Sequence, residues 1–113
     1  MILVHIPADQ SAPVACDMTA ATDTLEERIA EYRRLIVHAF AGRRRDALSV
    51  TLGFHDEPGV ADRVMDLARR EAACCPFVDY RIERIADRVT FTITGPADPS
   101  VQAMIDEFCD LVV

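Results

Sequence analysis

Lysine is absent from these 113 residues: the twelve basic side chains are all arginine, set against nineteen aspartates and glutamates, for a net charge of −7. That balance disfavours a nucleic-acid surface, which needs clustered positive charge to meet phosphate. The one basic run, Arg43-Arg44-Arg45, is expected just past a helix end, where it complements the negative end of the helix dipole. No apolar run approaches the roughly 20 residues of a membrane span. Met1-Ile2-Leu3-Val4-His5-Ile6-Pro7 lacks the basic segment and the length of a secretion signal. No membrane contact is therefore expected, and the expected location is the cytoplasm. The chain holds no CxxC, HxH or HExxH motif, which leaves a zinc finger or zinc hydrolase without its ligands. His5 and His38 have no metal spacing either. Repeats, linkers and low-complexity segments are missing, so residues 1–113 are read as one domain with a single modest core.

The apolar pattern supplies the elements. Ile2, Val4 and Ile6 share one face of a short strand, and Pro7 and Pro13 break its continuation. Residues 1–22 thus read as an N-terminal arm, ahead of an α+β core over 23–113. Thr24-Leu25-Glu26-Glu27 is a capping box, opening a helix whose stripe is Leu25, Ile29, Tyr32, Ile36 and Phe40, with Gly42 as its stop. Leu48, Val50, Leu52 and Phe54 alternate as a strand. A second helix runs from about Val60 to Ala73, with Val60, Val64, Leu67, Ala68 and Glu71 on one side, and Pro76 ends it. Val78, Tyr80 and Ile82, a turn at Ala86-Asp87, and Val89, Phe91 and Ile93 form a hairpin. Asp98 caps a last helix with Pro99 in its first turn. The expected fold is a small antiparallel or mixed sheet with helices on one face, a partial ferredoxin-like β-α-β-β-α unit preceded by the arm and its helix. The other sheet face invites a partner, and a homodimer is the expected cover.

The densest chemistry lies at Glu71-Ala72-Ala73-Cys74-Cys75-Pro76-Phe77. Adjacent cysteines cannot both face one buried surface, so packing explains them poorly. They suit a soft metal or metalloid, or redox chemistry. The C-terminal end of a helix disfavours a thiolate, and Glu71 one turn back acts the same way. A bound cation reverses that logic, because it deprotonates its thiols and welcomes a carboxylate. Without a secretion signal the four cysteines are expected to stay reduced. A bond between Cys74 and Cys75 would be strained, since successive Cα atoms lie about 3.8 Å apart. Cys16, in an irregular segment, is the candidate third thiol, whereas Cys109 beside Phe108 reads as a packed cysteine. Three thiolates would suit Hg(II) or As(III); His55 at a turn is read as solvated.

The segment Glu71 to Tyr80 with Phe91-Thr92-Ile93-Thr94-Gly95-Pro96 resembles a group of small bacterial proteins and domains. These share an E-x-x-C-C-P-F segment and often occur beside mercury- or arsenic-resistance functions. The resemblance spans about residues 16 to 112, including an early cysteine before a helix rich in arginine and glutamate. It implies a soft-metal role with Cys16, Cys74, Cys75 and Glu71 as the site. It departs from mercury-responsive regulators in carrying no winged-helix DNA-binding region, and it lacks the cysteine spacing of an alkylmercury lyase.

Three functions follow as expectations. The first is a binding module for a thiophilic ion held by Cys74, Cys75 and Cys16, with Hg(II) or As(III) as the ligand. The second is a thiol reductase or organometal lyase, with Asp17, Glu71 and His55 as the nearby acids and bases. The third is an interaction or dimerisation domain whose cysteines are only packed.

Overall fold

Period-two burial organises the sheet. In a computed structural model, which describes residues 1–17 and 19–113, Val50, Leu52 and Phe54 are buried while Thr51 and Gly53 between them are not. The strands are β1 (Ile2–Ile6), β2 (Phe40–Arg45), β3 (Ser49–His55), β4 (Asp79–Ile85) and β5 (Arg88–Thr94). They form one sheet in the order β1-β4-β5-β3-β2, with every pairing antiparallel. The register sets Ile82, Phe91 and Leu52 side by side, then Tyr80, Ile93 and Val50. These six residues, with the Phe54–Val89 pair, form the inner face, and helices α1 (Leu25–Ala39), α2 (Val60–Cys74) and α3 (Pro99–Val112) pack there. Because β5 lies between β3 and β4, the β3-α2-β4 segment is a split β-α-β unit, the ferredoxin-like element expected. The fold is α+β. Its outer face carries Thr51, Thr90, Thr92, Arg81 and Glu83, so a second copy of the chain would meet polar contacts there.

Helix starts follow the sequence closely. Thr24 accepts from the Glu27 amide at 3.1 Å, and Glu27 accepts from the Thr24 amide at 2.9 Å. Asp98 caps α3 through the Ser100 amide, with Pro99 as its first residue. Gly95 is where α3 meets the sheet: a Cβ there would lie 2.7 Å from Val101 Cγ1 and 3.0 Å from Ile105 Cδ1. Gly95→Ala is expected to destabilise the fold by about 1–3 kcal/mol through overpacking, read as a lower urea midpoint at unchanged m-value.

Three expectations are corrected. Helix α1 ends at Ala39, and the chain turns directly into β2, which carries Phe40 and the three arginines. These arginines therefore do not cap a helix. Arg45 instead crosses to α3, reaching Asp106 at 2.8 Å and the Gln102 side chain at 2.7 Å. Gly42, with φ +141°, sits at the register shift of the β2–β3 ladder rather than ending the helix; a positive φ at such an irregularity suits glycine. The buried stripe of α1 is also turned by one residue, to Arg28, Tyr32, Leu35 and Ala39, leaving Leu25 largely exposed. A charged residue thus occupies a core position. The reason lies in the site.

Candidate functional site

The N-terminal arm is held against the end of α2. The Asp9 amide donates to the Pro76 carbonyl and the Asp17 amide to the Cys74 carbonyl, each at 2.8 Å. These bonds bracket the point where Cys16 and Cys75 join in a disulfide, with Cα atoms 4.6 Å apart and a sequence separation of 59. The expectation that all thiols stay free is corrected for this pair. The cysteines that bond are distant in sequence, and their bond avoids the short Cα spacing that disfavours a Cys74–Cys75 link.

Adjacent cysteines diverge because α2 ends between them. Cys74 is the last helical residue and is fully buried, while Cys75 leaves the helix at φ −127°, ψ 71°. Pro76 enforces that exit. Cys75 is fixed on both sides: its amide donates to the Glu71 carbonyl at 2.8 Å, and its carbonyl accepts from the Tyr80 hydroxyl at 3.1 Å. Cys74 turns instead beneath Arg28, whose Nη2 lies 3.5 Å from its sulfur. The expected three-thiolate cluster does not form. Among the described residues no group of three or more His, Cys, Asp or Glu side chains is placed to hold a metal ion.

The disulfide borders a cavity of about 260 Å³. Leu25, Ile29 and Tyr32 of α1 and Met104, Phe108 and Leu111 of α3 line it, with Tyr80 of β4 and Ile93 of β5 on the sheet side. Cys16 Sγ also lies 3.7 Å from Met104 Sδ. The Tyr32 and Phe108 rings meet edge to face, with centroids 5.0 Å apart. Arg28, Glu71 and Glu107 reach this otherwise mostly apolar lining; Cys74 does not.

Below the cavity runs a buried ionic network. Arg28, 2% exposed, donates to both oxygens of Asp23, at 2.8 and 3.1 Å, and approaches Glu71 Oε1 at 3.5 Å. Tyr32 Oη donates to the same Glu71 oxygen at 3.3 Å. Arg70 adds a second cation to Asp23 at 2.8 Å and also contacts Glu31 and Asp66. The Arg28 hydrogen bonds hold the Asp23 carboxyl down at about 2. Burial pushes the Glu71 carboxyl up despite the neighbouring Arg28, and burial raises the Tyr32 and Tyr80 hydroxyls as well. Glu71, expected in a metal site with the cysteines, is instead engaged by Arg28 and Tyr32.

The remaining candidates lie outside the site. Asp17 is exposed and accepts from the Thr19 amide and hydroxyl, at 3.0 and 2.6 Å. His55 pairs with Arg88, at the end of β3 opposite Val50 and hence opposite the cavity. Cys109 is free and buried, as packing predicts, and burial raises its thiol. Sequence reasoning missed Asp23, Arg28 and Arg70; the signal available was an arginine at the core-facing position of α1. No helix of the described residues is long and apolar enough to cross a membrane. Comparison of the chain with family models, with curated proteins and with solved structures gave no match.

Proposed function

We propose that this chain captures a thiophilic metal or metalloid ion, of the Hg(II) or As(III) type, through Cys16 and Cys75 in their reduced form. The observation that carries the reading is the convergence of these two sulfurs, 59 residues apart in sequence, at the wall of a cavity. Two sulfurs close enough to bond are also close enough to share one soft ion. The disulfide must first accept two electrons and two protons from a low-molecular-weight thiol reductant, which leaves as its own disulfide. Hg(II) then displaces both thiol protons and is held by two thiolates. Soft thiolate ligands supply the selectivity. The flanking backbone bonds and the Tyr80 anchor hold the two cysteines in place once the bond opens. Cys74 is assigned to the Arg28 network rather than to the ion.

Titration of the reduced chain with Hg(II), against a competing small dithiol and followed by thiolate-to-metal absorption, tests this. One equivalent is expected to bind tightly, with Cys16→Ser or Cys75→Ser each removing that binding and Cys109→Ser leaving it intact. Tight binding that survives loss of Cys16 would overturn the assignment.

The disulfide itself supports a second reading, a thiol–disulfide exchange protein. The position of Cys75 at a helix C-terminus works against it, because the dipole there disfavours the attacking thiolate. Catalytic turnover of a disulfide substrate would favour that reading over capture.

A further inference from the structure

Two sulfurs and an apolar cavity call for a ligand that uses both. Hg(II) bound by two thiolates would leave the cavity unused. Inorganic As(III) is three-coordinate and would seek a third sulfur, but Cys74 is turned beneath Arg28 and lies outside the lining. With only two sulfurs, the third arsenic position meets a lining made mainly of apolar side chains such as Ile29, Met104 and Phe108, where Arg28 and Glu71 are already paired with each other, so a polar As–O bond is poorly matched there. A carbon substituent in the third position removes that conflict.

We infer that the ligand is a trivalent arsenical carrying one apolar organic substituent, best an aromatic ring, with arsenic on Cys16 and Cys75 and the ring in the cavity. The inference rests on the capture reading above and specifies its substrate class. The chemistry balances without an oxidant: R–As(OH)₂ exchanges two As–O bonds for two As–S bonds, the two thiol protons leave with the hydroxyls as two waters, and arsenic stays trivalent. The volume fits. A cavity of about 150 Å³ lined by aliphatic and aromatic side chains accommodates benzene, and the present one, of about 260 Å³, leaves space for the arsenic atom. The edge-to-face Tyr32–Phe108 pair offers an incoming ring the aromatic contacts such rings prefer.

The test uses the reduced full chain and three probes, Hg(II), methylarsonous acid and phenylarsine oxide, competed against dimercaptopropanol and read by intact mass and calorimetry. Phenyl is expected to bind at least about tenfold tighter than methyl, relative to the same competitor, since a buried ring withdraws far more apolar area from water than a methyl group. Ile29→Trp, which fills the cavity from α1, is expected to reduce that ratio to about threefold or less. Because the ratio is read within each protein, and the wild-type ratio decides by itself, a poorly folded variant does not blunt the test. Tight Hg(II) binding with equal phenyl and methyl affinities would overturn the inference and leave the capture reading standing. Failure of all three probes to bind would overturn both.

Discussion

Arg28→Ala is expected to lower stability by about 3–5 kcal/mol at neutral pH, the cost of breaking a buried charge network by removing one partner. Arg28 is 2% exposed and meets four acceptor atoms on three residues at once: both Asp23 oxygens, a Glu71 oxygen and the Cys74 sulfur. After truncation Asp23 retains Arg70 at 2.8 Å. Glu71 is left with a buried carboxylate and the Tyr32 hydroxyl alone. The pH dependence identifies the cause. In the native chain Asp23 titrates at about 2, below its unfolded value near 3.9. Its contribution is therefore present above the unfolded value and lost as pH falls through about 2. Glu71 behaves oppositely. Its carboxyl is already raised by burial while Arg28 pulls it down, so removing Arg28 raises it further. Stability of the variant should then be highest when Glu71 is protonated and fall as pH rises through its folded value. Urea midpoints at pH 7 and pH 5 check this: the gap between variant and native chain should narrow at pH 5. Adding Glu71→Gln to Arg28→Ala should recover part of the loss at pH 7, an outcome a simple packing defect would not give. Arg28→Lys is expected to rescue poorly, because an ammonium cannot reproduce the guanidinium fork on Asp23.

The same network marks where sequence reasoning stopped. The strands were legible because one face of the sheet is solvated, and a half-buried strand must alternate, as Val50, Leu52 and Phe54 do. The capping box and Asp98 were legible because they act over three residues of chain. Strand β2 was not, since Ala41-Gly42-Arg43-Arg44-Arg45 has no apolar alternation; its place comes from pairing with β3 and from the reach of Arg45 to α3. The tilt of α1 was misread for a related reason. Apolar periodicity put Leu25 inward, but Asp23 and Glu71 draw Arg28 into that position. Cys16 and one member of the double cysteine, Cys75, both singled out by the sequence, are joined in the structure. Which member of the pair meets Cys16 depends on where α2 ends to within one residue, a boundary the apolar pattern placed at Ala73 rather than Cys74.

Opening the Cys16–Cys75 bond should be the second large effect, lowering stability by about 4 kcal/mol on the chain-entropy estimate for a closed loop of roughly 60 residues. The bond spans a separation of 59, enclosing α1, β2, β3 and α2. Its loss frees more of the unfolded ensemble than of the native one, because Asp9 and Asp17 still hold the arm to Pro76 and Cys74 through backbone bonds. The reduced chain should therefore keep its fold and lose margin, with a lower urea midpoint in the presence of a phosphine reductant. Cys16→Ser should show that lower midpoint without reductant and no further drop when reductant is added. Capture then makes a distinctive demand on the same measurement. An ion held by both sulfurs recloses the loop, so one equivalent of Hg(II) added to the reduced chain should return the midpoint close to that of the disulfide form. Cys16→Ser should gain nothing comparable, since one thiolate cannot close a loop. A midpoint that rises equally in both proteins would mean that the ion acts on one sulfur at a time, and the two cysteines would then be a structural staple rather than a capture site.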